Sequence, residues 1–378
     1  MTPDDPALQR RFVVAMSGGV DSSVAALLLA REGLEVIGLF MRNGVQVSEE
    51  ASRRKSCCSA SDARDARMVA AHLGLAFQAV DLAGDFEHIV RAFVDDYSAG
   101  RTPNPCALCN RDLKFDRLLS LADELGAEGV ATGHYARLDH ERGRVVLRRG
   151  VDADKDQSYQ LFCVAEEHLA RTRLPLGALA KPAVRALARE AGLRTAAKAD
   201  SQEICFVPSG DYRELLAERG VELHPGRLLD TAGKVLGEHA GTEHFTIGQR
   251  RGHGVGGGTP LYVVEVNPVQ GTVVLGTRAE ACFGACDVDA VNWIGFDPPA
   301  SGELRCLVQV RYRSEAVAAG VSLSSKDGGE PCARVVFDEP QPAVAPGQGA
   351  AFYLADRLLG GGWIRTAERV ETTAPPPR

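Results

Sequence analysis

The chain has 378 residues, a formal net charge of -7 at pH 7 and a hydrophobic fraction of 45%. This length exceeds that of one ordinary domain and predicts two or three. The longest apolar run, residues 24–30, is far too short to span a bilayer, and the acidic N-terminus lacks the apolar core of a signal peptide, so we expect a cytoplasmic protein with no membrane partner. Ten cysteines are too few for a disulfide scaffold. The negative charge argues against a generally basic nucleic-acid binder, although a local arginine patch can still hold a phosphate backbone.

Residues 17–23, with the sequence SGGVDSS, follow a short apolar run and precede an alanine-rich helix. Two glycines allow a tight turn, and the backbone amides at the start of the helix can bind an anion. The segment has neither the Gly-Lys-Ser/Thr ending of a Walker A loop nor a Gly-x-Gly-x-x-Gly pattern. It matches the SGGxDS loop of ATP pyrophosphatases, and we therefore predict a pyrophosphate site; a merely capped helix is the alternative.

The N-terminal half alternates short apolar runs with amphipathic helices, which is typical of βαβ units in a parallel sheet. The predicted segments are 34–41, 62–73, 76–82, 85–97 and 129–132, followed by helices at 181–191 and 211–219. Ligands of such sheets lie beyond the carboxyl ends of the strands. Because residues 17–23 and Gly133-His134 both follow predicted strands, we expect the two loops to share one nucleotide.

After about residue 210 the sequence changes to short β-rich runs bounded by glycine and proline. These runs cover residues 262–266, 272–275, 288–293, 304–313, 333–337 and 350–354. They predict a small central module and a C-terminal barrel or sandwich. The loop at residues 248–258 is basic, and its Arg250 and Arg251 would suit RNA phosphates, with a plain connecting loop as the alternative. The proline-rich residues 373–378 are predicted to be a disordered tail.

Two segments contain cysteines whose neighbouring residues bear on the reactivity of the thiol. The prolines in residues 101–105 predict an extended approach to a helix that begins near Cys109 and runs to residue 125. A thiol at a helix N-terminus, close to Arg111 and Lys114, is expected to have a lowered pKa. Cys205 lies in a polar segment, and by itself it is better interpreted as a buried apolar residue.

Five motifs in one order change that interpretation. They are SGGVDSS (17–23), NPCALCN (104–110), ATGHYAR (131–137), KDQSYQL (155–161) and ADSQEICF (199–206). Together with residues 310–314 and 346–349 they resemble the bacterial tRNA-specific 2-thiouridylases. The resemblance implies an α/β fold with an N-terminal parallel-sheet ATP pyrophosphatase domain, of the adenine nucleotide alpha hydrolase type (1–209), a small central domain (210–282) and a C-terminal β-barrel (283–372).

The resemblance also implies a reaction, the ATP-dependent 2-thiolation of the wobble uridine at tRNA position 34. ATP, with Mg²⁺, adenylates the uridine O2, and a persulfide then supplies sulfur. The cysteine matching Cys205 carries the persulfide and the one matching Cys109 is the nucleophile, which leaves a disulfide between them to be reduced. The implied partners are tRNAs with Lys, Glu and Gln acceptors and a cysteine desulfurase, acting directly or through relay proteins. We expect a monomer.

The motif positions carry further roles over from the family. ATP contacts are implied for Ala15, Met16, Ser17, Gly18, Gly19, Val20, Asp21, Ser22, Met41 and Gly133. Target-base contacts are implied for Asn104, Pro105 and Cys106. Other tRNA contacts are implied for His134, Lys155, Asp156, Gln157, Arg311, Tyr312 and Gln348.

The chain departs from the family pattern at Cys106, where many members have Asp. A carboxylate base therefore cannot be transferred to this position, and Cys106, Cys109 and Cys205 together become alternative ligands for a [4Fe–4S] cluster. Two other functions remain open from the sequence. One is an ATP pyrophosphatase-type amidoligase acting on a small molecule, and the other is a non-catalytic tRNA-binding protein of the same fold.

Overall fold

A computed structural model describes residues 10–44, 60–200, 204–207, 210–256, 258–299, 302–326 and 329–370. Residues 201–203 of the last cysteine motif, Gly257 of the basic loop and the predicted tail lie outside the described residues. The chain divides into two compact units. The first comprises Met1–Val90, Cys106–Asp211 and Asp356–Leu358, and the second comprises Arg91–Pro105, Tyr212–Ala355 and Leu359–Arg378.

The first half of the chain folds as alternating strands and helices. In chain order these are β1 (Arg11–Ala15), α1 (Val20–Arg31), β2 (Glu35–Arg42), α2 (Ala60–His72), β3 (Ala76–Asp81), α3 (Ala83–Ser98), α4 (Pro105–Cys109), a π-helical segment (Asn110–Arg117), α5 (Leu118–Glu124), β4 (Gly129–Ala131), β5 (Ala136–Glu141), β6 (Arg144–Arg149), a 3₁₀ turn (Ser158–Leu161), α6 (Glu166–Ala170), β7 (Thr172–Arg173) and α7 (Lys181–Glu190).

Five of these strands form one sheet in the order β3-β2-β1-β4-β7, and every pairing is parallel. The predicted parallel sheet is therefore confirmed. Its central strand is buried on both faces because its residues alternate between two cores. Val14 packs in a cluster with Val24 of α1 and Val184 of α7, whereas Val13 packs in another with Leu118 of α5.

The register of the sheet brings the ends of three strands to one edge. Val14 of β1 is paired with Ala131 of β4, and Ala15 is paired with Leu39 of β2. The loops that follow β1 and β4 consequently lie side by side, as the sequence predicted. Gly133 shows how close they are, since a Cβ placed on it would lie 2.9 Å from the carbonyl carbon of Asp21.

Among the described residues, the second unit contains the end of α3 (residues 91–98), a further α-helix, a 3₁₀ turn (Thr242–His244) and ten strands. In chain order this helix and the strands are α8 (Tyr212–Glu218), β8 (Gly226–Asp230), β9 (Val235–His239), β10 (Tyr262–Asn267), β11 (Thr272–Gly276), β12 (Cys282–Trp293), β13 (Glu303–Gln309), β14 (Val317–Ser325), β15 (Pro331–Pro342), β16 (Gly349–Leu354) and β17 (Arg357–Arg369), whose first two residues belong to the first unit.

These strands form a central four-stranded sheet, β10-β11-β8-β9, and a six-stranded barrel, β12-β15-β14-β13-β16-β17, closed by pairing of β12 with β17. The barrel is the predicted one, and closure excludes the sandwich alternative. One apolar core serves both sheets, because Leu228 and Val263 of the central sheet cluster with Val335 and Phe352 of the barrel. None of the helices within the described ranges has the length and apolarity needed to cross a bilayer.

Candidate active site

The turn between β1 and α1 is a phosphate loop in geometry as well as in sequence. Gly18 has a φ of +74°, a conformation that favours glycine. The hydroxyl of Ser22 accepts a hydrogen bond from the amide of Ser17 at 3.1 Å, and the hydroxyl of Ser23 donates to the carbonyl of Gly19 at 2.7 Å. No side chain caps the helix at Gly19. The first amides of a 12-residue helix are thus directed at the loop, where an anion is stabilised.

A lysine ion-pair cluster braces the back of this loop. The ammonium of Lys198 donates to the carbonyl of Gly18 at 2.9 Å and contacts the carboxylates of Asp62 and Asp65 at 2.6 and 2.7 Å. Burial acts against its charge, but the hydrogen bonds that it donates to the two carboxylates raise the pKa of Lys198 above its ordinary value. The loop is therefore tied to the start of α2.

Asp21 lies in the first turn of α1, directly after the loop. It accepts a 2.7 Å hydrogen bond from the hydroxyl of Tyr135 and two from the ammonium of Lys181, at 2.8 and 2.7 Å. Burial and the negative charge of Asp21 raise the pKa of Tyr135, so its phenol stays protonated and donates. The side chain of Lys181 is only 10% exposed, and its ammonium lies 5.6 Å from the centre of the Tyr135 ring.

The same ammonium extends the network to Asp200 of the last cysteine motif. Lys181 contacts Asp200 at 2.9 Å, and Lys155 and Arg185 contact it at 2.8 and 2.7 Å. Burial alone would raise the pKa of Asp200, but its hydrogen bonds from Lys155 and Lys181 lower the pKa to about 2. Three sequence motifs, those of Asp21, Lys155 and Asp200, therefore meet in one chain of ion pairs.

His134 is buried beside the phosphate loop. Its Nδ1 lies 2.7 Å from the hydroxyl of Thr132, and its ring is 5.7 Å from that of Phe115. Burial, and then the nearby charge of Lys114, lowers the pKa of His134 well below its ordinary value. The imidazole is thus neutral, and the side chain is only 6% exposed.

The cysteine helix starts earlier than the sequence predicted. Helix α4 begins at Pro105, because a proline has no amide to leave unpaired and its φ suits the first helical position. Cys106 is therefore in the first turn, whereas Cys109 is the last residue of α4 and continues into the π-helical segment. The prediction of a helix N-terminus at Cys109 was wrong, whereas the lowered pKa of this thiol stays a prediction, supported now by Arg111 and Lys114 alone.

The thiols of the first unit differ in access. Cys106 is exposed and Cys109 and Cys205 are half-buried, whereas Cys163 is buried. Cys163 lies 3.4 Å from the carbonyl of Ala107, and burial raises the pKa of its thiol to about 12. Cys163 is thus an inert packing residue, and among the described cysteines of this unit the accessible thiols are those of the sequence motifs.

Met41 is the next-to-last residue of β2. Gln157 is hydrogen-bonded to the ATGHYAR motif, since its side-chain carbonyl accepts from the backbone amide of Tyr135 at 3.0 Å. Asp156 has a different environment. Its carboxylate accepts from the amides of Gly150 and Ser158 and from the guanidinium of Arg149, and only 8% of the side chain is exposed. In this structure Asp156 fixes the turn that carries Lys155.

The second unit holds the other predicted positions. The amide of Gln348, which is nearly buried, donates to the carbonyls of Thr102 and Pro103 at 3.1 and 2.8 Å, so it fixes the backbone that leads to Asn104 and Pro105. Arg311 is exposed next to Tyr312. Arg250 and Arg251 are exposed as well, and within the described part of the chain neither forms an ion pair.

The metal prediction has no geometric counterpart in the described residues. Among them, no three His, Cys, Asp or Glu side chains are grouped so as to hold a metal ion. Cys106, Cys109 and Cys205 are all described, so they are not gathered as a cluster would need.

Sequence reasoning missed four polar residues of this site. Lys181, Lys198, Tyr135 and Asp200 carry its ion pairs and hydrogen bonds, yet none was assigned a role. Tyr135 and Asp200 lie within the quoted motifs, which was a usable signal. Lys181 is the first residue of α7, and its role cannot be inferred from the sequence because only the fold brings it into contact with Asp21.

The fold and the site define a class. A parallel sheet with a glycine- and serine-rich phosphate loop after its first strand, followed by a barrel-containing β unit, is that of a HUP-domain protein of the ATP pyrophosphatase type. Profile matches agree in order: "tRNA methyl transferase HUP domain" over residues 10–209, "tRNA methyl transferase PRC-barrel domain" over 213–277 and "Aminomethyltransferase beta-barrel domain" over 284–364.

Curated relatives make the assignment specific. The chain is 47% identical over 374 residues to the tRNA-specific 2-thiouridylase MnmA of Solibacter usitatus, covering 94% of this chain and 99% of the relative. It is 43% identical to the protein of that name from Rhodopirellula baltica, with 97% and 99% covered. The chain belongs to the tRNA-specific 2-thiouridylase family. Among solved structures, a 4-thiouridine synthetase–RNA complex matches with a TM-score of 0.34 and 19% identity over 56% of this chain and 50% of that one, which says nothing of function.

Proposed function

We propose that this chain is a tRNA-uridine 2-sulfurtransferase that uses ATP to convert the wobble uridine of tRNA to 2-thiouridine. The observation that carries the proposal is the conjunction, in one unit, of a phosphate loop with two accessible motif cysteines, Cys109 and Cys205. The family relationship supports it. An amidoligase would use the phosphate loop but has no use for the cysteines, and a non-catalytic protein would need neither.

In the first step the uridine O2 attacks the α-phosphorus of ATP, and pyrophosphate leaves. The amides at the start of α1 favour the departing anion, because they are fixed donors in a preorganised loop. The ATP-contact residues are those assigned from sequence, from Ala15 to Ser22 with Met41 and Gly133. The carboxylate of Asp21 is a hard oxygen ligand of the kind that Mg²⁺ prefers, and it would hold the ion after releasing Lys181; Mg²⁺ would offset the charge of the triphosphate.

In the second step a persulfide on Cys205 provides the sulfur. Its terminal sulfur attacks C2 of the adenylated uridine, and AMP leaves. The thiolate of Cys109 then attacks the sulfur of Cys205, which releases the thiocarbonyl of the product and forms a disulfide between the two cysteines. An external thiol reductant returns both to thiols. The sulfur comes from a cysteine desulfurase, directly or through relay proteins.

The remaining sequence assignments complete the proposal. Asn104, Pro105 and Cys106 contact the target base, and the other tRNA contacts are His134, Lys155, Asp156, Gln157, Arg311, Tyr312 and Gln348. For Asp156 and Gln348 the internal hydrogen bonds favour an indirect role, in which each fixes a backbone that meets the RNA. The enzyme acts as a cytoplasmic monomer on tRNAs with Lys, Glu and Gln acceptors, with domains at 1–209, 210–282 and 283–372.

The test is thiolation of unmodified tRNA by protein purified without oxygen, with 2-thiouridine detected by mass spectrometry. Cys109→Ala and Cys205→Ala are each expected to abolish the product while tRNA binding persists. Cys332→Ala, which removes a half-buried thiol from β15, is the matched control and retains activity. Full activity of Cys205→Ala with a desulfurase as donor would refute the persulfide role.

Two further measurements on the same sample separate the alternatives. Stoichiometric iron and acid-labile sulfide would replace the persulfide route by a cluster on Cys106, Cys109 and Cys205. AMP formation with ammonia or glutamine, but none with tRNA and a sulfur donor, would establish the amidoligase instead.

A further inference from the structure

Lys181 joins the nucleotide loop to a tRNA-binding lysine through a single ammonium group. The ammonium of Lys181 donates to both carboxylate oxygens of Asp21 and forms an ion pair with Asp200 at 2.9 Å. Asp21 belongs to the phosphate loop and helix α1. Asp200 in turn holds Lys155, which is a proposed tRNA contact. All four residues belong to the first unit.

We propose that Lys181 is a positioning residue that couples nucleotide binding to tRNA binding, by exchanging its carboxylate partners and so releasing Lys155 from Asp200. The inference rests on the proposed function, since it takes ATP and tRNA as the two ligands. It adds a coupling to the reaction: each of the two ligands binds more tightly when the other is present.

Burial shows why Lys181 changes partners rather than leaving. Its side chain is 10% exposed and lies over the Tyr135 ring, so its charge must keep a carboxylate. When the cation that accompanies ATP occupies Asp21, the remaining partner of Lys181 is Asp200. The ammonium therefore concentrates on Asp200.

The other ligands of Asp200 show which one is displaced. Arg185 is anchored independently, because its guanidinium also donates to the carbonyls of Ala196 and Lys198 at 2.8 and 2.9 Å. The ammonium of Lys155 has its one described hydrogen bond with Asp200, at 2.8 Å, and its side chain is 28% exposed. Lys181 and Arg185 share Oδ1 of Asp200, whereas Lys155 contacts Oδ2. Lys155 is therefore freed for an RNA phosphate not by competition for one oxygen but because it is the most exposed of the three cations and lacks a second anchor when Lys181 neutralises Asp200.

The experiment measures the affinity of the full chain for unmodified tRNA with and without Mg²⁺ and α,β-methylene ATP, which is not cleaved to AMP. In the wild type we expect tRNA to bind at least about fivefold more tightly with the analogue. By linkage, saturating tRNA must tighten analogue binding by the same factor. One extra phosphate contact also steepens the salt dependence, by roughly 0.7 to 0.9 in the log–log slope.

Lys181→Met is expected to bind both ligands with no coupling between them. Arg185→Met is the matched control, because it removes a different cation from Asp200 and leaves the Asp21 bridge intact; the coupling factor should persist. Asp200→Asn tests the release of Lys155 directly, because it removes the carboxylate that holds this lysine. It also keeps the proposal testable if a Lys181 variant fails to fold. It should bind tRNA tightly without nucleotide and gain nothing from the analogue.

The proposal is overturned if the wild type binds the analogue and tRNA independently, or if Lys181→Met keeps the coupling factor of the wild type. Failure of the proposed function has a different signature. A wild type that couples the two ligands yet makes no 2-thiouridine would refute the thiolation and leave the coupling in place, whereas one that thiolates tRNA without coupling would refute this inference alone.

Discussion

Replacing Gly18 by alanine should damage the phosphate loop in two separable ways. The residue has a φ of +74°, and a Cβ there would lie 2.3 Å from the backbone carbonyl oxygen of Asp62. The left-handed backbone costs an alanine about 1 to 2 kcal/mol. The contact must be relieved by moving either the loop or the start of α2, and overpacking of this kind costs about 1 to 3 kcal/mol. Gly18→Ala should therefore lower the free energy of unfolding by about 2 to 5 kcal/mol.

Gly33→Ala is the matched control, because Gly33 also has a positive φ, +79°, but no atom lies within 4 Å of the added Cβ. It incurs the backbone cost alone. The loss of unfolded-state entropy that accompanies any Gly→Ala change is shared by both variants and cancels in their difference. That difference, about 1 to 3 kcal/mol, isolates the contact with Asp62.

The assay is urea unfolding of both variants together with the affinity for Mg²⁺ and α,β-methylene ATP. Gly18→Ala should bind the analogue at least tenfold more weakly, which is about 1.4 kcal/mol, whereas Gly33→Ala should bind it like the wild type. Equal stability of the two variants with unchanged nucleotide affinity in Gly18→Ala would refute the close packing of the loop on α2.

Three further outcomes are expected. Changing Arg250 and Arg251 to Gln should weaken tRNA binding and reduce the log–log salt slope by about one to two phosphate contacts. The control Lys234→Gln, which removes an exposed charge from the same unit, should have a smaller effect. Equal effects of the two changes would show that residues 248–258 are a plain connecting loop. The folded-state pKa of Asp200, about 2, lies below its ordinary value of 3.8, so this residue stabilises the fold above about pH 4 and loses that contribution as the pH falls toward 2. The difference in unfolding free energy between wild type and Asp200→Asn, measured by urea unfolding, should therefore disappear between about pH 4 and about pH 2. A difference that stays constant with pH would contradict the assignment. Gln348→Ala should destabilise the second unit by about 1 to 3 kcal/mol, because the carbonyls of Thr102 and Pro103 lose their hydrogen-bond donor. Gln341→Ala, which loses one exposed hydrogen bond, should be near neutral in urea unfolding.

The sequence predicted the parallel sheet well because central strands such as β1 and β4 are buried and read as continuous apolar runs. It predicted the barrel less completely. The sequence pattern predicts one strand over residues 304–313, but β13 ends at Gln309. β14 was not predicted at all, since its alanine, glycine and serine residues have little strand propensity and are paired because β13 and β15 lie on either side. The β5–β6 hairpin was likewise hidden by its charged residues.

The candidate active site, too, was predicted from the sequence only in part. A phosphate loop is a local structure, so seven consecutive residues were enough to predict it. The start of the cysteine helix was misplaced because Cys109 looked like its beginning, whereas the proline at position 105 sets it one turn earlier. The ion pairs of Lys181 join residues 160 and 19 positions away in the chain, and no local pattern encodes such pairings.

The net charge of -7 misleads about RNA because it does not say where the charges lie or which cations are paired. In the first unit many basic side chains are bound to carboxylates, Lys181 and Lys198 among them. In the described part of the second unit, Arg250, Arg251 and Arg311 have no carboxylate within ion-pair distance. A phosphate that binds a paired lysine must displace a carboxylate, whereas one that binds an exposed, unpaired arginine displaces only water and counterions. The affinity of this acidic protein for RNA therefore depends on how many of its cations are unpaired, and ion-pair exchange at Lys181 gives the nucleotide a means of changing that number.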